Sequence, residues 1–178
     1  MLFFLTDFFK KFYFIGYFAN NVERKGLASF YKEQPIFKNR VIQPTYTLIR
    51  MIVIVPRNKG KDPFDELIQI IFTYIHGSAK YEEYIRHIDK WINEPPYYPT
   101  AIIGDMNWHY PTIHPMKRYM LNNGFQQLIE KPTHDEGHTL DHIYVNAKLT
   151  DMKIEIFQKP VHFSDHDVVF LKLNASSD

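Results

Sequence analysis

Three short segments of this chain carry side chains that can hold a cation and work on a phosphate. They are Gly104-Asp105-Met106-Asn107, Thr139-Leu140-Asp141-His142 and Ser164-Asp165-His166-Asp167. Carboxylates are the preferred ligands of hard divalent cations, and a cation so held activates water toward a phosphorus centre. An imidazole beside a carboxylate serves as a base or as a donor to a phosphate oxygen, and Asp141 is a candidate to fix the tautomer of His166. Each segment adjoins a strand-forming run: Thr100–Ile103 before the first, Ile143-Tyr144-Val145 after the second, Val168-Val169-Phe170 after the third. Strands of one sheet bring their ends to a common rim. If these share a sheet, the carboxylates of Asp105, Asp141 and Asp165, the Asn107 amide and the His166 ring converge on one cleft.

Each cluster also has a plainer reading. Gly, Asp and Asn are turn formers, so Asp105 and Asn107 alone stand at even odds with a polar turn. Asp105 and Asn107 alternate along extended backbone, which lets both point the same way. Asp165-His166 could be a solvated loop ahead of the last strand. His134, His138 and His142 suggest zinc, yet their spacing fits no zinc signature and there is no cysteine, so magnesium ranks first and these histidines read as turn or rim residues. Trp108, His109 and Tyr110 could stack on bases or simply pack.

The elements that must carry these clusters follow from periodicity and punctuation. Gly26–Tyr31 and Tyr46–Val55 read as strands, with Pro35 and Pro44 marking a loop between them. Arg57–Pro63 reads as a hairpin-like connection, and Leu67–Ile75 as a strand buried on both faces. From Lys80 to Asn93 the period turns helical, with Tyr81, Tyr84, Ile85, Ile88, Trp91 and Ile92 on one face. Pro115–Asn123 predicts a second helix closed by Gly124. Strands near Gln126–Ile129, His142–Asn146, Lys153–Phe157 and Val168–Leu173 complete an α/β (α+β) layered domain.

At 178 residues, 45% hydrophobic and 23% charged, the chain predicts one globular domain. A net charge of +1 neither announces nor excludes a nucleic-acid partner. The lack of cysteine rules out thiolate chemistry and fits a cytosolic or nuclear protein. The Phe-rich start, Met1–Phe18, is broken by Asp7, Lys10 and Lys11, which suits neither a membrane span nor a secretory signal.

With these residues in view, the chain resembles the endonuclease/exonuclease/phosphatase superfamily of metal-dependent phosphoesterases. Gly104–Asn107 is similar to that family's Gly-Asp-x-Asn, Leu140–Val145 to its Asp before an aromatic strand, Ser164–His166 to its Ser-Asp-His, and Tyr74 to its active-site tyrosine. Pro132-Thr133-His134 with Gly137–Asp141 most resembles endonuclease domains of mobile elements such as non-LTR retrotransposons. The resemblance runs from about Gly26 to Leu173. It implies a sandwich of two mixed sheets flanked by helices, and Mg²⁺- or Mn²⁺-dependent hydrolysis of a nucleic-acid backbone, most readily DNA. It implies that Asp105 orients or deprotonates water, Asn107 holds that water or a phosphate oxygen, and Asp141 fixes His166 against the scissile phosphate. Tyr74 would support phosphate or leaving group, Asp165 would bind metal, and Thr133 would contact phosphate, while substrate contact by Trp108 rests on its stacking surface alone. The family's first strands, with an active-site Asn and a metal-binding Glu, are not evident. Residues 1–25 are therefore expected to be irregular or a remnant, with Asp7 standing in for the Glu as a metal ligand. The alternatives are a silent truncated relic and a phosphatase of the same superfamily. No membrane or obligate protein partner is expected.

Overall fold

The computed structural model describes the backbone of residues 2–6, 12–19, 25–30, 37–55, 66–150 and 153–174, and side chains within 39–52, 67–150 and 154–173. Asp7, Glu23 and the Arg57–Pro63 connection lie outside the described residues. In chain order the elements are β1 (Leu2–Thr6), β2 (Phe12–Ala19), β3 (Lys25–Phe30), β4 (Phe37–Gln43), β5 (Tyr46–Val55), β6 (Glu66–Ile75), α1 (Tyr81–Asn93), β7 (Thr100–Asp105), α2 (Pro115–Asn122), β8 (Phe125–Gln127), β9 (Asp141–Asn146), α3 (Ala147–Thr150), β10 (Lys153–Lys159) and β11 (Val168–Asn174).

Six strands form the main sheet in the order β4-β5-β6-β7-β9-β8. Its β6–β7 pair is parallel and the other pairs are antiparallel. A parallel pair needs a crossover, and α1 supplies it, as its helical period predicts. A three-stranded sheet (β1-β2-β3) and a two-stranded sheet (β10-β11) accompany the main one, and β1 lies against β11. The architecture is the expected α+β layering of mixed sheet and helices.

Alternation along the central strands sorts the core into two layers. Ile68, Ile70 and Phe72 of β6, Ala101 and Ile103 of β7, and Ile143 and Val145 of β9 pack with Val169, Leu171 and Leu173 of β11. The intervening residues Ile71, Ile75, Ile102 and Tyr144 pack instead with Tyr84, Ile88 and Trp91 of α1 and Met116 and Met120 of α2. The main sheet is thus covered on both faces, which is why β6 and β7 read as unbroken apolar runs.

Residues 1–25, expected to be irregular or a remnant, contain β1 and β2, whose aromatic-rich segments suit a pleated surface. Two expectations change. The stretch expected as a loop between Pro35 and Pro44 contains β4, an outer strand whose Lys38, Asn39 and Arg40 are tolerated at a sheet edge. The strand expected at Gln126–Ile129 is Phe125–Gln127.

Gly104 shows how tightly β6 and β7 approach. A Cβ there would lie 1.8 Å from the Thr73 carbonyl oxygen, so only glycine fits without moving backbone. Gly104→Ala should therefore cost about 1–3 kcal/mol or more through overpacking. In a chain of this size each kcal/mol lowers the melting temperature by about 2–4 °C. Gly77→Ala, whose Cβ meets nothing within 4 Å, should melt like the parent. Equal melting of the two variants would contradict the close approach.

Candidate active site

Sheet register builds the site's floor. Tyr74 of β6 pairs with Asp105 of β7, and Asp105 pairs with Asp141 of β9. By alternation all three share the face that carries Ile103 and Ile143, the face turned toward β11. They form a row across three neighbouring strands, whose spacing is about 4.8 Å. Asp105 is 4% exposed and Asp141 is fully buried.

From the opposite layer the loop before β11 lowers His166 onto this row. His166 Nδ1 lies 2.8 Å from Asp141 Oδ2. A carboxylate only accepts, so Nδ1 carries the proton and Nε2 is left for other chemistry. Ser164 Oγ accepts the His166 backbone N–H at 3.0 Å and shapes the turn that aims the ring. Two backbone bonds tie this loop to the 132–138 turn: Asp135 N to Asp165 O at 3.0 Å and Asp167 N to Thr133 O at 2.7 Å.

The charges in the row act on one another. Burial and the neighbouring Asp141 push the Asp105 carboxyl up to about 7, against smaller opposing effects of His166 and the Asn107 amide. A carboxyl with that value is a base matched to neutral pH. Burial disfavours the charged form of His166, but the hydrogen bond to Asp141 and the charges of Asp141, Asp105 and Asp165 outweigh it, and its pKa is raised.

Asn107 holds Asp105 from the far side. Its backbone N–H donates to Asp105 Oδ1 at 2.9 Å, and Nδ2 donates to Asp105 Oδ2 at 3.2 Å and to Ile75 O at 2.8 Å. Its φ of +51° lies in the left-handed region, which asparagine tolerates better than most residues. Both amide hydrogens are thereby used. The remaining carbonyl oxygen can accept from a water but cannot donate to a phosphate.

Three residues sit differently from expectation. Thr133, expected at the substrate, is fully buried, and its Oγ1 accepts the Leu140 and Asp141 backbone N–H groups at 3.1 and 3.0 Å. It positions Asp141. Trp108, expected to stack on a base, is 5% exposed and lies between the His114 and His142 rings, with centroids at 4.6 and 4.3 Å. His142, expected at a turn or rim, is fully buried, and burial pushes its pKa down to about 3. Its Nε2 donates to Trp108 O at 3.0 Å, while Nδ1 accepts from Gln127 Nε2 at 2.6 Å. Gln127 Oε1 in turn accepts the Ile143 N–H at 3.0 Å, a fixing role its sequence context did not signal.

Among the described residues, the buried Asp141 Oδ1 has no hydrogen-bond partner. An orphaned carboxylate oxygen beside a second carboxylate is suited to a hard cation, and Mg²⁺ commonly uses one or two carboxylates plus substrate phosphate. Asp165, expected as a metal ligand, is an exposed rim residue grouped with His134 and His166. Asp7 lies outside the described residues.

The pair Asp141–His166 makes the pH behaviour testable. Because the folded pKa of His166 exceeds its ordinary 6.5, the stability it contributes is complete below pH 6.5 and lost as pH rises through the folded value. In Asp141→Asn, NMR of the imidazole should show His166 titrating at lower pH than in the parent; an unchanged titration would refute the pairing. Thr133→Val should leave the buried Asp141 N–H unanswered, at about 1–3 kcal/mol. Thr133→Ser should melt near the parent, and equal melting of the two variants would contradict the positioning role.

No protein-family model and no curated protein sequence matches this chain. Among solved structures, the endonuclease domain of TRAS1, a telomere-specific non-LTR retrotransposon, aligns with a TM-score of 0.58 at 14% identity, over 92% of this chain and 80% of that one. The human Nocturnin catalytic domain with bound sulfate anion aligns with a TM-score of 0.55 at 13% identity, over 86% of this chain and 64% of that one. At these identities the likeness is one of fold, a mixed six-stranded sheet with a two-stranded sheet and flanking helices in this chain.

Proposed function

We propose that the chain is a divalent-metal-dependent phosphodiesterase of the endonuclease/exonuclease/phosphatase type, cleaving a nucleic-acid backbone, with DNA as the favoured substrate. The observation that carries this reading is the in-register row Tyr74–Asp105–Asp141 closed from the other layer by the 2.8 Å Asp141–His166 bond. Asp105 takes a proton from the attacking water, a role suited by its carboxyl at about 7. Asn107 accepts the water's other hydrogen through its carbonyl oxygen and so orients it. His166, its tautomer fixed by Asp141, presents Nε2 to a phosphate oxygen, and Tyr74 supports the phosphate or leaving oxygen from the row's end.

Asp141 Oδ1, which lacks a hydrogen-bond partner, and Asp165 would supply oxygens for Mg²⁺ or Mn²⁺, with Asp7 a further candidate. When bound, such a cation offsets charge at the phosphate and lowers the pKa of a ligated water. The likeness in fold to the TRAS1 endonuclease domain supports a nucleic-acid substrate rather than a small phosphate ester for this chain.

Supercoiled plasmid nicking with Mg²⁺ tests this reading. His166→Ala and Asp105→Asn should each lose about 10²–10⁴-fold, the usual contribution of a positioned acid or base. Equal trace nicking by parent and both variants would remove catalysis from this site. Faster turnover of a soluble phosphomonoester than of plasmid would assign a phosphatase instead.

A further inference from the structure

His134 is the residue near the row for which the proposed reaction has no use. Its Nε2 lies 3.5 Å from Asp165 Oδ2, and its ring stands edge-on to His166 with centroids 4.8 Å apart. A 3.5 Å separation is long for a hydrogen bond between these groups. It is close to the roughly 3.4 Å that separates two ligands of a tetrahedral zinc at bond lengths of about 2.1 Å. One donor atom from each of His134, Asp165 and His166 falls within 4.8 Å of the others.

The three are held in place by backbone as well as by side chains. His134 and His166 face each other in an antiparallel bridge, and the bonds Asp135 N–Asp165 O and Asp167 N–Thr133 O flank it. The backbone therefore keeps the three side chains beside one another, and small side-chain shifts bring them to zinc-ligand spacing. His166 also has the tautomer a metal requires. Its Nδ1–H is committed to Asp141, so a metal displaces only the Nε2 proton, and a carboxylate stands behind the ligating ring. His134 has to adjust, because its Nδ1 accepts the Glu136 N–H at 3.1 Å. Ligation through Nε2 moves its proton to Nδ1 and breaks that bond, but Glu136 is exposed and water can take its place.

We infer that His134, Asp165 and His166 form a binding site for a borderline-soft transition metal, with Zn²⁺ as the best fit. Two imidazoles and one carboxylate with an open fourth position suit Zn²⁺, whereas Mg²⁺ takes oxygen ligands in an octahedron. The site lies at the rim, above the buried Asp105–Asp141 pair. It shares His166 Nε2 and Asp165 with the reaction proposed above, so on that reading a bound Zn²⁺ withdraws both from the phosphate and its Mg²⁺ and inhibits cleavage.

Cobalt titration of the metal-free full chain tests binding without reference to catalysis. One equivalent of Co²⁺ should give the visible bands of a four-coordinate ion, which Zn²⁺ displaces and excess Mg²⁺ does not. His134→Ala and Asp165→Asn should each weaken binding by at least about 10–100-fold. His138→Ala, at the exposed end of the same turn, should titrate like the parent. Circular dichroism establishes that each variant is folded, and should His134→Ala melt early, the exposed Asp165→Asn decides. Absence of the four-coordinate spectrum, parent-like binding by the deciding variant, or equal weakening by His138→Ala would overturn the site. Because nucleic acid is absent, failure here leaves plasmid nicking intact, and failed nicking leaves the titration readable.

Discussion

Everything in the site depends on one hydrogen bond that joins two layers of the fold. Asp141 is fully buried on β9, and His166 reaches it from the loop before β11. A buried carboxylate without a partner is costly, and breaking a buried charged pair by removing one member typically costs about 3–5 kcal/mol. The His166 ring therefore answers Asp141 while Asp141 sets the tautomer of the ring. The same contact fixes how the β10–β11 layer meets the main sheet at this end. Structure and chemistry draw on a single bond, so neither residue can change without disturbing both.

Around that bond the site has a rigid floor and a more open rim. The floor is Tyr74, Asp105 and Asp141, set by strand register, by the close approach at Gly104 and by the amide of Asn107. The cost of the floor is electrostatic: two buried carboxylates side by side drive Asp105 up to about 7, leaving a group ready to accept a proton. The rim is Asp165 and His134, whose side chains keep access to solvent.

Much of this was legible in the sequence, for a physical reason. Asp105, Asp141, Asp165 and His166 flank apolar runs, and strand ends collect at one rim, so their convergence could be argued without coordinates. Partner identity was less legible. Thr133, Trp108 and His142 have side chains that look chemically able, and whether each faces a cleft or the core depends on contacts far along the chain. His142 shows this well: its partners, Gln127 and Trp108, lie 15 and 34 residues away. The edge strand β4 was hidden by its polar residues, since an edge strand lacks the unbroken apolar pattern of β6 and β7.

A double-mutant cycle on plasmid nicking probes the central coupling most directly. If Asp141 acts in part through His166, the double variant of Asp141→Asn and His166→Ala should lose clearly less than the product of the two single losses, because the orienting part of Asp141 costs nothing further once the ring is gone. Independent losses that multiply in the double variant would show that the two residues do not act as a unit, and would contradict the account.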